Sequence, residues 1–337
     1  MKAPVSVPQP LKPVLKRGAL IAAANWQVIL IQWTADSIFK LLLATPILGG
    51  VFLVALVVET EPRELMTLPW REMAATVVSS LLSHPMVLSA FLLAVAVVAI
   101  GGSLFVFLVK AGTVAVLVRG EREGGMIEEP PLHLERLRRA SQFSAEFYSD
   151  AARTLYPRYA RLGFSLMATY VASGVGYLAL VFAIGLAGDR WGLAALVTAA
   201  FVVWITLVNL LYLLVQIVIA ADDCSVASAC GRMVAFLRHE RRSVGAVFLV
   251  VLALVAVATL VSLLATAALG FIAFVPFIGL AVLPLQLMAW LFRGLVFQYL
   301  GLTSIGAYVR LYRGFAEEEA GAGRASERTY SLGELRA

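Results

Sequence analysis

Arg293 is the residue of this chain that most needs an explanation. It stands inside the apolar run 277–309, with Trp290, Phe292 and Phe297 around it. A guanidinium in such a run must face a protein interior, a water-filled cavity or a partner, or else reach along its own stem to the lipid heads. Asn209 and Gln216 interrupt the run 192–220, and their spacing of seven puts them on one helix face with Tyr212 nearby. Hydrogen bonding between helices accounts for that pair; a transport path would account for it only if Arg293 converged on the same cavity. Asp36 and Lys40, four apart, share a helix face and suit an interfacial ion pair, with a proton or ion relay as the rival use.

Other reactive side chains are scattered. His84, His133 and His239 lie far apart, and Cys224 and Cys230 have a C-x5-C spacing unlike the usual zinc pairs. The two cysteines read as reduced packing residues. No Gly-rich phosphate loop, H-E-x-x-H, G-x-S-x-G or DNA-binding pattern occurs, so no residue is assigned to catalysis, to a cofactor or to a metal, and nucleic acid is not expected as a partner. Ser165, Thr169 and Ser173 sit four apart, and with Ala172 and Gly176 they make a small surface suited to close helix packing.

The elements that must position these residues follow from composition. Of 337 residues, 61% are apolar and 14% charged, a balance that belongs to membrane proteins rather than soluble domains. A span needs about 20 mainly apolar residues. Six such runs occur, at about 38–58, 86–109, 162–186, 192–220, 244–269 and 277–309. The fold class expected is all-α: a polytopic bundle of six spans, a single domain over 1–313, with interfacial amphipathic helices between the spans.

Residues 1–13, with Pro4, Pro8, Pro10 and Pro13, read as an extended leader. Residues 18–34 read as an interfacial helix or an inward extension of span one, uncleaved. A short surface helix is expected at 70–82. Phe143, Phe147, Ala151 and Leu155 predict an amphipathic helix ending near Pro157. Val226, Cys230, Met233 and Leu237 predict another, capped by Asp222 or Asp223. The helices at 18–34, before span three and before span five each precede an outward-going span, a pattern that fits a threefold repeat of elbow helix, span, turn and span, with independent linkers an equal alternative. Residues 314–337, rich in Glu, Gly, Ala and Arg, read as a disordered cytoplasmic tail.

Arginine and lysine set the orientation. With six spans, one side holds Arg63, Arg71 and Arg190, and the other holds the four basic residues before Gly18, eight in 119–161, four in 221–243 and five from Arg310 onward. That asymmetry places both termini in the cytoplasm, and the location expected for the chain is a bacterial inner membrane. Seven or eight spans would export the charged leader or the tail. The arginines near 136–139 and 238–242 are ordinary topology signals, with anionic lipid heads as the partner they could bind.

The string IVIAADDCSVASACGRMVAFLRHERRSVGAVFLV at 217–250, and the Leu311-Tyr312-Arg313 exit of the last span, resemble six-helix bacterial membrane families typified by the membrane domain of glycerophosphodiester phosphodiesterase fusions. The resemblance implies the architecture and no chemistry, because in such fusions the phosphodiesterase is a separate soluble barrel for which this chain has no room.

Three functional readings follow. A non-enzymatic accessory or scaffold protein explains the lack of a dense polar site. A transporter or channel subunit requires Arg293, Asn209 and Gln216 on one path. A lipid-acting membrane enzyme requires acids or histidines clustered at one leaflet.

Overall fold

The computed structural model describes residues 10–57, 82–131, 134–186, 191–273 and 278–334, with Pro69, Glu72 and Ser79 as isolated positions between. The extended leader before Pro10, most of the turns expected at 187–191 and about 270–276 and most of the surface helix expected at 70–82 lie outside those residues. The described residues form nine α-helices and no strand: α1 (Leu11–Ala24), α2 (Trp26–Val57), α3 (Pro85–Glu123), α4 (Leu134–Ala140), α5 (Ala145–Leu186), α6 (Trp191–Asp222), α7 (Val226–His239), α8 (Arg241–Ala273) and α9 (Ile278–Glu334).

Six of these, α2, α3, α5, α6, α8 and α9, are long and apolar enough to cross a membrane. The protein is an all-α, multi-pass membrane bundle. At 1.5 Å per residue the 39 residues of α3 and 42 of α5 run about 58 and 63 Å. A hydrocarbon core of about 30 Å leaves a long overhang on each.

The chain divides into two compact units, residues 33–109 and residues 1–32 with 110–337. The smaller unit is an antiparallel helix pair from α2 and α3. Its two levels of close approach are set by glycine. A Cβ on Gly102 would lie 2.2 Å from the Phe39 ring, and one on Gly50 would lie 2.5 Å from the Phe91 ring. Each ring thus fills the space that a side chain on the facing helix would need.

In the larger unit the buried residues concentrate where the spans meet the arginine-rich linkers. Ile21, Ala22, Val28, Val116, Leu117, Ile127, Ala140 and Leu302 form one core there. Along the spans Val171 and Leu178 of α5, Leu252 and Val257 of α8 and Phe292 of α9 are exposed, as residues facing lipid tails are.

Four expectations differ from the structure. Helix α1 begins at Leu11, inside the stretch read as an extended leader: Pro10 sits before the helix and Pro13 in its first turn, where the missing N–H has no partner to lose. Helix α5 does not stop near Pro157 but runs through it. The carbonyl that Pro157 leaves without a partner belongs to Arg153, and both residues are exposed, so solvent can satisfy it. The cap of α7 is Ser225, whose hydroxyl accepts from the Ser228 N–H at 3.4 Å, and neither aspartate serves. Helix α9 continues to Glu334 through the residues where disorder is expected. Alanine, glutamate and arginine are strong helix formers, and Arg313 pairs with Glu317 one turn on at 2.8 Å.

Candidate functional site

The densest polar constellation is built around Arg17, which is 3% exposed. Its position follows from a backbone contact. A Cβ on Gly18 would lie 2.5 Å from the Thr303 carbonyl oxygen, and one on Gly306 would lie 2.9 Å from the Gly18 Cα, so α1 and α9 cross with nothing but glycine between them. Arg17, beside this crossing, points at the end of α3. Its Nε donates to Glu121 Oε2 at 2.6 Å and one terminal nitrogen to Glu128 Oε2 at 2.7 Å. The guanidinium also donates to the carbonyls of Gly125 and, at 3.1 Å, Glu121. The turn that carries Glu128 toward it bends at Gly125, whose φ of 60° suits glycine.

Other cations complete the cluster. Arg313 donates to the Glu121 carbonyl at 2.9 Å, Arg310 stands 3.7 Å from Glu121 Oε1, and Lys16 donates to the Glu128 carbonyl at 2.8 Å. Burial works against the Arg17 charge, but the bonds and charges of Glu121 and Glu128 outweigh it and hold its pKa above the ordinary arginine value. Glu121 Oε1 is buried without a hydrogen bond among the described residues. Glu121 borders a cavity of about 280 Å³ shared with Arg122, Asp222, Tyr312, Arg313 and Glu317.

Asn25 is the joint between α1 and α2. Its Nδ2 donates to the carbonyls of Ile21 at 3.0 Å and Ala140 at 2.9 Å, and its Oδ1 accepts from the N–H groups of Gln142 at 2.9 Å and Phe143 at 3.2 Å. One fully buried amide therefore ends a helix and fastens the α4–α5 connection to it. Asp222, at the end of α6, accepts from Arg232 at 2.6 Å and from the Tyr312 hydroxyl. Asp223 takes Arg158 as its partner, at a positive φ of 50° that an aspartate tolerates at a helix end.

The residues singled out in the sequence fall elsewhere, in separate places. Asp36 and Lys40 form their helical pair at 2.6 Å in the smaller unit, and the lysine is 67% exposed. Asn209 accepts a hydrogen bond from Tyr170, one rung of a ladder along α5 and α6. The other rungs join Tyr177 with Thr198 at 3.0 Å, Trp204 Nε1 with Ser173 Oγ at 2.9 Å and the Tyr159 hydroxyl with the Gln216 carbonyl at 2.8 Å. Gln216 is buried, and its Nε2 has no partner among the described residues.

Arg293 lies apart from both. It lines a crevice of about 750 Å³ between α8 and α9, together with Ser262, Thr266, Gln286 and Trp290. Its contact there is the Phe297 ring, 5.7 Å from the guanidinium carbon. Gln286 is thus the one of its three expected neighbours that shares the crevice, and Asn209 and Gln216 are not in its lining.

Sequence reasoning missed Arg17, Glu121, Glu128 and Asn25 as a group. Arg17 counted as a topology charge and Asn25 as a polar break. The sequence signal that could have raised Glu121 is its place at the end of a long apolar helix in line with Val118, where a carboxylate needs a partner. Among the described residues no three His, Cys, Asp or Glu side chains are placed to hold a metal ion. No family model, curated protein or solved structure matches the chain, and none links it to the membrane domains of glycerophosphodiester phosphodiesterase fusions.

Proposed function

We propose that this chain is a non-enzymatic accessory or scaffold protein of the bacterial cytoplasmic membrane, with its arginine-rich end and both termini in the cytoplasm. The observation that carries the reading is how the buried charges are used. Arg17 alone makes four hydrogen bonds to α3 and the turn after it, and with the Gly18–Gly306 crossing these tie α1, α3 and α9 into one block. Asn25 and Asp222 add the α4–α5 connection and α7 to it. Polar chemistry in this chain fastens helices, and the spans beyond the block present apolar side chains outward. The asymmetry of basic residues supports the orientation.

A transporter would need Arg293, Asn209 and Gln216 on one path, whereas Asn209 is engaged with Tyr170 and Arg293 lines a crevice between α8 and α9 that includes neither Asn209 nor Gln216. A lipid-acting enzyme would use the cavity beside Glu121, whose second carboxylate oxygen already serves Arg17.

The experiment is reconstitution into liposomes combined with photo-crosslinking in cells. Photoreactive residues at the exposed positions Val171 and Leu178 are expected to give discrete protein adducts, and the liposomes are expected to show neither ion flux nor ester hydrolysis. A flux abolished by Asn209→Ala, or a hydrolysis abolished by Glu121→Gln, would replace the scaffold reading with the corresponding rival.

A further inference from the structure

The crevice at Arg293 is continuous with a second cavity. That one, of about 600 Å³, lies between α1, α8 and α9 and is lined by Lys12, Leu15, Lys16, Tyr299 and Thr303. Leu254 and Leu300 line both, so together they form one groove. From Leu300 to Gln286 it follows about 21 Å of α9, more than the roughly 15 Å depth of one leaflet. Its walls are mainly apolar, and its charges are all positive. Lys12 and Lys16, four apart, share a face of α1 at one end, and Arg293 stands about 10 Å along α9 from Leu300.

These cations are underused. Lys12 and Arg293 make no hydrogen bond or ion pair among the described residues, and Lys16 spends one donor on the Glu128 carbonyl. No acid lines either cavity among the described residues, and the carboxylates of Glu121 and Glu128 are held by Arg17. Thr303, at the lysine end, is 8% exposed, and its hydroxyl has no partner among the described residues. An apolar groove of leaflet length with unpaired cations at its mouth and along its wall matches one kind of molecule.

We propose that this groove holds one anionic glycerophospholipid. The phosphate is taken by Lys12 and Lys16, an acyl chain runs between α8 and α9, and the Arg293 guanidinium reaches toward the ester carbonyls. The bound lipid supplies the polar partner that an arginine at this depth requires. The inference rests on the proposed placement of the arginine-rich end at a membrane surface and does not rest on the scaffold role.

The test is native mass spectrometry of the full chain released from nanodiscs of equal phosphatidylglycerol and phosphatidylcholine. The wild-type protein is expected to retain a single phosphatidylglycerol in preference to phosphatidylcholine. Each of Lys12→Gln and Arg293→Gln is expected to lower that preference about fivefold, the factor contributed by one basic group near a charged surface. Leu254→Trp, which fills the junction of the two cavities without changing charge, is expected to abolish retention. Arg238→Gln, on an exposed position of α7 outside the groove, is expected to leave it unchanged, and millimolar inorganic phosphate is expected not to compete.

Equal retention of both lipids by the wild type would overturn the site, as would an equal loss in Arg238→Gln, which would mean charge attraction without a groove. Displacement by free phosphate, or a lipid-free dimer closing the groove, would overturn it too. Protein adducts at Val171 and Leu178, outside the groove, are read independently, so failure here and failure of the scaffold reading are told apart.

Discussion

Arg17 shows how one side chain can hold the helices of a membrane protein together. Its charge is buried, and its partners Glu121 and Glu128 lie more than a hundred residues away. Removing it leaves two acids without their main counter-charge, and breaking a buried pair from one side costs about 3–5 kcal/mol. Arg17→Met is therefore expected to lower the unfolding temperature of the detergent-solubilised protein by several degrees. Arg17→Lys should recover only part of the loss, because an ammonium cannot span both carboxylates and two carbonyls as the planar fork does. A Met variant as stable as the wild type would show that the cluster contributes nothing net. None of this was legible from local spacing. Charge counting assigns Arg17 to the basic side, but a contact between the first helix and the end of the third has no periodicity to announce it.

Elements were legible where hydrophobic length or period defines them. The six spans are visible as runs, and every one corresponds to a helix of the structure. The ends were harder, because a helix that leaves the hydrocarbon can continue on propensity and packing alone, as α5 does through Pro157 and α9 does past Gly314. Helix α7 shows the same split. The stripe Val226, Cys230, Met233 and Leu237 points to the right side, but the buried centre is Ala229, Met233 and Phe236. Phe236 sets that rotation by meeting the Tyr312 ring edge-on at 5.4 Å. With Cys224 and Cys230 replaced, a thiol at Met233 is expected to react slowly with a water-soluble maleimide and one at Ser228 quickly. Equal rates would mean that α7 is not seated on α9.

At the scale of the whole molecule the proposed orientation is open to a direct check. Reporters fused at Gly124 and Gly323 are expected to read as cytoplasmic and one at Gly188 as periplasmic, and a periplasmic signal from either of the first two would remove the six-span topology with the basic end inside.

The crossing of α1 and α9 bears on how such a chain is made. Tyr299 donates to the Ala19 carbonyl at 3.2 Å across 280 residues of sequence. The ribosome delivers α1 ahead of α2, α3, α5, α6 and α8, and α9 after them, so α1 must wait, its glycine face and Arg17 unclaimed by α9, until α9 itself has been made. Closure of that contact thus marks a chain made through α9: a nascent chain cannot reach it early, and a protease that patrols the membrane surface meets an undocked α1 on every product that stops short of α9.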